Sequence, residues 1–339
     1  MPRLSDILGQ PQAVDLLRRA VASSKLAQAY LFVGPEGVGK LTTALALAGA
    51  LNCESAAGEG CDSCTACHKI TAGSHPDVFV LVPDGQFIKI DQVRALEQHL
   101  GFPPHEGRRR VIILDGADHL NDHAANALLK SVEEPRPTTL FVLVSATTHR
   151  GAPTLVSRCQ RVRFVPLSAP TIYSILERRA GAGGEAGEPE GQTSPAARRS
   201  AAALAGGSAR RALRLLEGEQ LATIQRTVTI LLRAADSPGV VDLFEAAAEA
   251  GKDRLEVAEA LDVLRTWLRD LLLVREGVDD RHLINSEHLP QLRADAARLD
   301  HRAILRRLRA VDEAQVALRG NVQPALALEN LALRMRVAP

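Results

Sequence analysis

Four short apolar runs set the strongest limit on what this chain can fold into. Tyr30–Val33, Val78–Val82, Val111–Leu114 and Leu140–Val144 are continuously rather than alternately hydrophobic, and stretches with helical spacing separate them. A strand that is apolar on both faces must be covered on both faces, and strands joined by crossover helices pair in parallel. The pattern predicts an α/β, doubly wound parallel sheet. The helices expected between the strands are Thr42–Leu51, Asp91–Leu100 and Asn121–Glu134. Pro135 stops the last of these, because its ring cannot continue a helix.

At 339 residues the chain has room for two or three domains. The alternating pattern covers 1–165 and changes near Val165. Residues 166–218 read as a small helical lid, with Pro170–Ala180 helical and helical spacing resuming over Ala201–Leu216. Between them, 181–200 is rich in Gly, Ala, Glu and Pro and has no large apolar side chain, so it reads as a flexible insertion. From 219 to 339 Leu, Ala and Val recur at three- and four-residue spacings without a strand signal, which predicts an all-helical domain.

Lys and Arg number 41 against 40 Asp and Glu, a net charge of +1, so neither a polybasic nucleic-acid coat nor an acidic tail characterises the chain. Aromatic residues are 3%, too few for broad base-stacking surfaces. No apolar stretch approaches the ~20 residues of a membrane span. Met1–Asp6 shows no charged region leading into an apolar block, so no secretory signal is expected and the predicted location is cytoplasmic.

Gly34-Pro35-Glu36-Gly37-Val38-Gly39-Lys40 follows the first strand and precedes a helix. In that context glycines let backbone N–H groups wrap a phosphate, while the helix N-terminus and the lysine supply positive potential. The hydroxyl that ordinarily follows and holds Mg²⁺ is replaced by Leu41, with Thr42 and Thr43 arriving late. Asp115 ends its strand where a magnesium-organising carboxylate would sit, but Gly116 occupies the position of the glutamate that activates water in related ATPases. Asp118, three residues on, is no assumed substitute. The expectation is a degenerate nucleotide site that binds ATP or ADP but hydrolyses poorly; the plain alternative is a glycine turn joining strand to helix.

Cys61-x-x-Cys64-x-x-Cys67, with Cys53 upstream, places four thiolates within reach of one ion, and such a set favours a closed, structural tetrahedral Zn²⁺ over a disulfide framework. The alternative is a group of reduced surface cysteines. His68 is expected to face solvent. The fifth cysteine, Cys159, reads as a small buried hydrophobe. Arg158 follows the fourth strand on a short helix near the sheet's edge, placed to meet the phosphate of a neighbouring subunit; the alternative is an ordinary surface arginine. Arg108-Arg109-Arg110 reads as a solvated turn before a strand.

Together these blocks resemble the delta-prime subunits of bacterial DNA polymerase III clamp loaders, within the AAA+ class. The resemblance rests on Gly34–Lys40, the four cysteines, His75-Pro76-Asp77, Ile90–Arg94, Asp115–Asp118, Ala125–Lys130, Glu133-Glu134-Pro135 and Ser157-Arg158-Cys159, from about Leu8 to Phe164. It continues weakly through Gly207-Ser208-Ala209-Arg210, similar to the sensor segment of the lid, which adds Arg210 to the nucleotide-binding candidates. It implies a helical collar after 219 and a rigid stator in a five-membered ring with gamma/tau and delta subunits. That ring loads a sliding clamp on primed DNA. The resemblance implies further that the stator itself hydrolyses no ATP and that Arg158 is an arginine finger in trans. Two rival readings follow from the residues: an active AAA+ ATPase of the gamma/tau kind, with Thr42 holding magnesium, and a zinc-dependent nucleic-acid-binding module.

Overall fold

A computed structural model describes residues 3–85, 87–147, 153–182, 194–216, 253–283, 288–320 and 322–336, with isolated positions at 228, 229, 247, 251 and 285. These form two compact units. The first contains the described residues up to Ile175 together with Gly207–Arg210; the second contains Leu176–Gly206 and the described residues from Arg211.

In the first unit, helix α1 (Pro11–Ala22) leads into strand β1 (Ala29–Val33), α2 (Lys40–Asn52), α3 (Thr65–Thr71) and β2 (Val78–Leu81). Helix α4 (Ile90–Leu100), β3 (Arg110–Asp115), α5 (Asp122–Glu133), β4 (Thr139–Ser145), α6 (Pro153–Val156) and β5 (Gln160–Arg163) follow, and α7 (Ala169–Ala182) begins in this unit and continues into the second from Leu176. The five strands form one parallel sheet in the order β2-β3-β4-β1-β5. Every residue of β4 is buried, and Val111–Leu114 in β3 and Tyr30–Phe32 in β1 are equally so, as continuous apolar runs require. One layer of the core joins β1, β3 and β4 to Val93 and Leu96 of α4 and to Ala124, Ala125 and Leu128 of α5. The Asn121 side chain accepts the Ala124 N–H at 2.8 Å and caps α5. The sheet is α/β and doubly wound.

Strand β5 was not evident in the sequence. Gln160, Arg161 and Arg163 are exposed and only Val162 is buried, so the segment carries no apolar run. Charged side chains are how an edge strand avoids pairing with another chain. Arg158 also departs from its expected place: it lies just beyond α6, in the turn before β5.

Arg110 corrects the reading of the arginine run as a solvated turn. Arg108 is exposed, but Arg110 is buried at 4% exposure and begins β3. Its Nη1 donates to the carbonyls of His99 and Phe102, and its Nη2 to Pro103 O at 2.9 Å and Asp77 Oδ1 at 3.2 Å. Asp77, fully buried, also accepts the N–H groups of His105 (2.7 Å), Glu106 (2.8 Å) and Gly107 (2.8 Å). Burial pushes the Asp77 pKa up, but those three donors and Arg110 outweigh it and hold it below the usual 3.8. This stabilisation is complete above the unfolded value and is lost as pH falls through the depressed native one. Asp77→Ala leaves Arg110 buried without its counter-charge, so chemical denaturation of the first unit should show a loss of about 3–5 kcal/mol. A loss below about 1 kcal/mol would mean that the carbonyl cage alone satisfies the arginine.

In the second unit, α8 (Pro195–Leu204) and α9 (Ala209–Leu216) carry the helical spacing read over Ala201–Leu216, interrupted where Gly206 and Gly207 take positive φ. Although α9 is named with this unit, its first two residues pack with the first. The Ser194 side chain caps α8 by accepting the Ala197 N–H at 3.1 Å. Ordered helix therefore occupies the end of the segment read as a flexible insertion, because Ser194-Pro195 supplies a start signal that composition alone conceals. Residues 183–193 of that segment lie outside the described ones. Among the described residues that follow, α10 (Arg254–Arg275), α11 (Leu289–Arg298), α12 (His301–Arg319) and α13 (Pro324–Met335) bury Leu264, Leu268, Ile304, Val311, Leu328 and Leu331. No strand occurs among the described residues of this unit. No described helix is long and apolar enough to cross a membrane.

Candidate functional site

The glycine loop leaves the carboxyl end of β1 and enters α2, whose N-cap is Gly39. Lys40 is buried at 7% exposure, and its Nζ donates to the carbonyls of Gly34 and Pro35, each at 2.6 Å. Burial pulls its pKa down, opposed by Asp115, Glu36 and Asp118. Burial likewise pushes Asp115 up, against the charges of Arg210 and Lys40. Lys40, Asp115 and Arg210 thus share one electrostatic neighbourhood, as the motifs predict.

The segment Gly207–Arg210 packs directly on the loop: the Ala209 N–H donates to Gly37 O at 2.9 Å. A Cβ at Gly37 would sit 2.0 Å from Ser208 Oγ, and φ there is +71°, so the docking requires glycine. Gln10 holds the loop from the other side. Its Nε2 donates to Val165 O at 2.7 Å and Val38 O at 3.3 Å, and its Oε1 accepts the Val165 N–H at 3.0 Å. No sequence signal marked this buried glutamine.

Gly34, Gly37, Gly39, Lys40, Asp115 and Arg210 are thereby gathered, and Thr42 is not. It is exposed on α2, while the Thr43 hydroxyl is occupied by Gly39 O at 2.8 Å. Gly116 has φ +91°, and a Cβ there would approach Pro83 Cγ at 3.0 Å, so the backbone itself disfavours a glutamate at this position. The loop keeps its glycines and buried lysine, with Leu41 at the position after Lys40 and Gly116 after Asp115.

Cys53, Cys61, Cys64 and Cys67 converge, with all four sulfur atoms within 4.8 Å of one another, and can hold one metal ion. Cys53 closes α2 and Cys64 caps α3; Cys53 and Cys67 are buried, and the other two half-buried. Backbone N–H groups point at the sulfurs: Ala56 to Cys53 at 3.1 Å, Cys64 to Cys61 at 3.2 Å and Cys67 to Cys64 at 3.5 Å. Hydrogen bonds from Ser63 hold Cys61 down to about 5, whereas burial pushes Cys67 up to about 12. His68 is exposed, in keeping with a four-sulfur set. Cys159 lies apart, half-buried, its Sγ donating to Leu155 O at 3.2 Å and its pKa pushed by burial to about 11.

Arg158 stands at the opposite end of the sheet from the glycine loop. It precedes β5, which pairs in parallel with β1 from Gln160 opposite Tyr30, whereas the loop follows the carboxyl end of β1 and Asp115 is the last residue of β3. At ~3.3 Å per residue, strands of this length separate the two ends by roughly 13–16 Å. Arg158 is exposed; its Nη2 pairs with Glu133 Oε1 at 2.7 Å and its Nη1 donates to Thr154 O at 2.7 Å. A cavity of about 350 Å³ opens beside them, lined also by Ala27, Gln28, Ala29 and Val132.

Residues 9–168 match the family described as DNA polymerase III, delta subunit, and residues 225–336 match its C-terminal family. The delta-prime subunit of DNA polymerase III from Bacillus subtilis is 30% identical over 96% of this chain and 96% of its own length. The tau subunit from the same organism is 35% identical over 52% of this chain, but only 31% of tau is covered. A crystal structure of a gamma subunit-related protein from Thermotoga maritima is 17% identical, covering 96% of this chain and 98% of that one, with a TM-score of 0.40. Similarity to delta-prime runs through both compact units, and on that ground the chain belongs to the delta-prime subunit family of DNA polymerase III.

Proposed function

We propose that this chain is the non-hydrolysing stator of a clamp loader, helping to load a sliding clamp on primed DNA and lending Arg158 to the ATP site of an adjacent ATPase subunit. One observation carries the reading: Arg158 and the chain's own glycine loop lie at opposite ends of the same sheet, so the arginine serves a phosphate on another chain or none. Its planar, permanently charged fork suits phosphate oxygens, and its exposed ion pair, worth at most ~1 kcal/mol, is easily rearranged. The loop with Leu41, exposed Thr42 and left-handed Gly116 supports the absence of hydrolysis. The partners in this reading are gamma/tau and delta subunits in a hetero-pentameric cytoplasmic ring. In it, 1–165 is the AAA+ domain, 166–218 the lid and 219–339 the collar.

The cysteine cluster is read as a structural zinc site spanning 53–67. Four sulfurs select Zn²⁺ and leave no open position for catalysis. Tetrahedral bonds of ~2.3 Å imply sulfur separations near ~3.8 Å, and Cys53 and Cys64 stand 3.8 Å apart. The bound ion would fix the excursion between α2 and α3. Lys40, the loop backbone and Arg210 are the residues that would hold ATP or ADP.

Reconstitution tests the reading. The purified chain should hydrolyse no measurable ATP, with or without primed DNA. Its addition to gamma/tau and delta should restore clamp-dependent ATP turnover and clamp loading. Vigorous hydrolysis by the chain alone, abolished by Lys40→Ala, would instead establish a motor of the gamma/tau kind.

A further inference from the structure

The Arg158 guanidinium is held from two sides. Thr154 O, in α6, accepts from Nη1 at 2.7 Å, and Glu133 Oε1, on the last residue of α5, accepts from Nη2 at 2.7 Å. Ser157 Oγ lies farther from Nη1, at 3.4 Å. A guanidinium carries five N–H donors, so two short contacts fix the plane of the fork and still leave donors for a phosphate. The restraint has a physical purpose. A free arginine carries about 2 kcal/mol of rotamer entropy, which an unrestrained side chain gives up when it engages its target. Val132 and Glu133 also form one wall of the 350 Å³ cavity into which the pair faces.

Resting on the finger reading above, we infer that Glu133 is the positioning residue for Arg158: its carboxylate, delivered by the end of α5, presents the guanidinium at the cavity for the phosphate of an adjoining chain. The pair is exposed on both sides, 41% for Arg158 and 40% for Glu133, so its energy is that of a surface ion pair. Such a pair is worth up to ~1 kcal/mol, equivalent to a rate factor of about fivefold.

The test uses the complete reconstituted loader. Glu133→Ala should lower kcat for ATP about fivefold at unchanged KM. Glu133→Gln keeps an oxygen acceptor but loses the charge, and its rate should fall between those of Glu133→Ala and wild type. The Glu133→Ala, Arg158→Ala double variant should be no slower than Arg158→Ala alone. Raising ionic strength should narrow the gap between wild type and Glu133→Ala, since exposed charges are screened. Thermal melting and assembly of each variant, compared with wild type, separate a lost fold from a lost position. The inference is overturned if Glu133→Ala turns over at the wild-type rate while Arg158→Ala is defective. It is equally overturned if Glu133→Gln is as slow as Glu133→Ala, or if either variant is faster than wild type. If Arg158→Ala itself is unimpaired, the finger reading has failed rather than the positioning of the side chain.

Discussion

Arg158→Ala is expected to reduce ATP turnover of the reconstituted loader by ~10³-fold or more at the site it serves, while the loader still assembles. An arginine supplied across an interface is worth ~10³–10⁵ in rate, or about 4–7 kcal/mol of barrier. The folded chain stands to lose little. The side chain is exposed and its Glu133 pair contributes at most ~1 kcal/mol. That asymmetry makes the experiment decisive, because unaltered melting and assembly accompany the predicted loss of rate. Arg158→Lys keeps the charge but not the planar fork, and should remain closer to alanine than to wild type. Turnover within about threefold of wild type in Arg158→Ala would remove the residue from the mechanism.

The parts legible in the sequence were those with a local rule behind them. Continuous apolar runs marked β1 to β4, which burial on both faces explains for β1, β3 and β4 while Val80 of edge strand β2 is exposed, and the strand bounds moved by a residue or two at most. Cysteine spacing announced a cluster, and the four sulfurs indeed converge. The glycine loop and Asp115 were read as parts of one site, and Lys40, Asp115 and Arg210 do share one electrostatic neighbourhood. What escaped depends on partners distant in sequence. Arg110 looked like one of three solvated arginines, and only the carbonyls of His99, Phe102 and Pro103, with Asp77 beyond, make it a buried residue. Strand β5 hid because an edge strand wants charges. Gln10 spans 155 residues to reach Val165, a distance no local pattern encodes. Glu133 stood in plain view beside Glu134 and Pro135, but its pairing with Arg158 required the fold to bring α5 beside the start of β5.

Metal removal should produce the largest stability change in the molecule. Structural zinc sites in small peptides contribute ~10–16 kcal/mol, and in a larger domain only the share not replaced by other contacts is lost. Here the cluster is tied into the sheet at both ends. Cys53 terminates the helix that begins at Lys40, and the preceding Asn52 accepts the Arg109 N–H at 2.9 Å, one residue before β3. Beyond the cluster, Lys69 of α3 pairs with Glu106 at 2.8 Å, in the loop whose backbone Asp77 fixes. Loosening the cysteines therefore loosens the connections at the start of β3 as well as the 53–67 excursion. Purified protein should contain about one zinc per chain. A chelator should lower the melting temperature of the first unit by about 8–16 °C, as a loss of at least ~4 kcal/mol at ~2–4 °C per kcal/mol implies. Cys64→Ser should lower it similarly, and the chelator should add little further, because both remove the same ion. Cys159→Ser, outside the cluster, should keep its zinc. Metal-free protein that melts at the wild-type temperature would return the four cysteines to the status of reduced thiols.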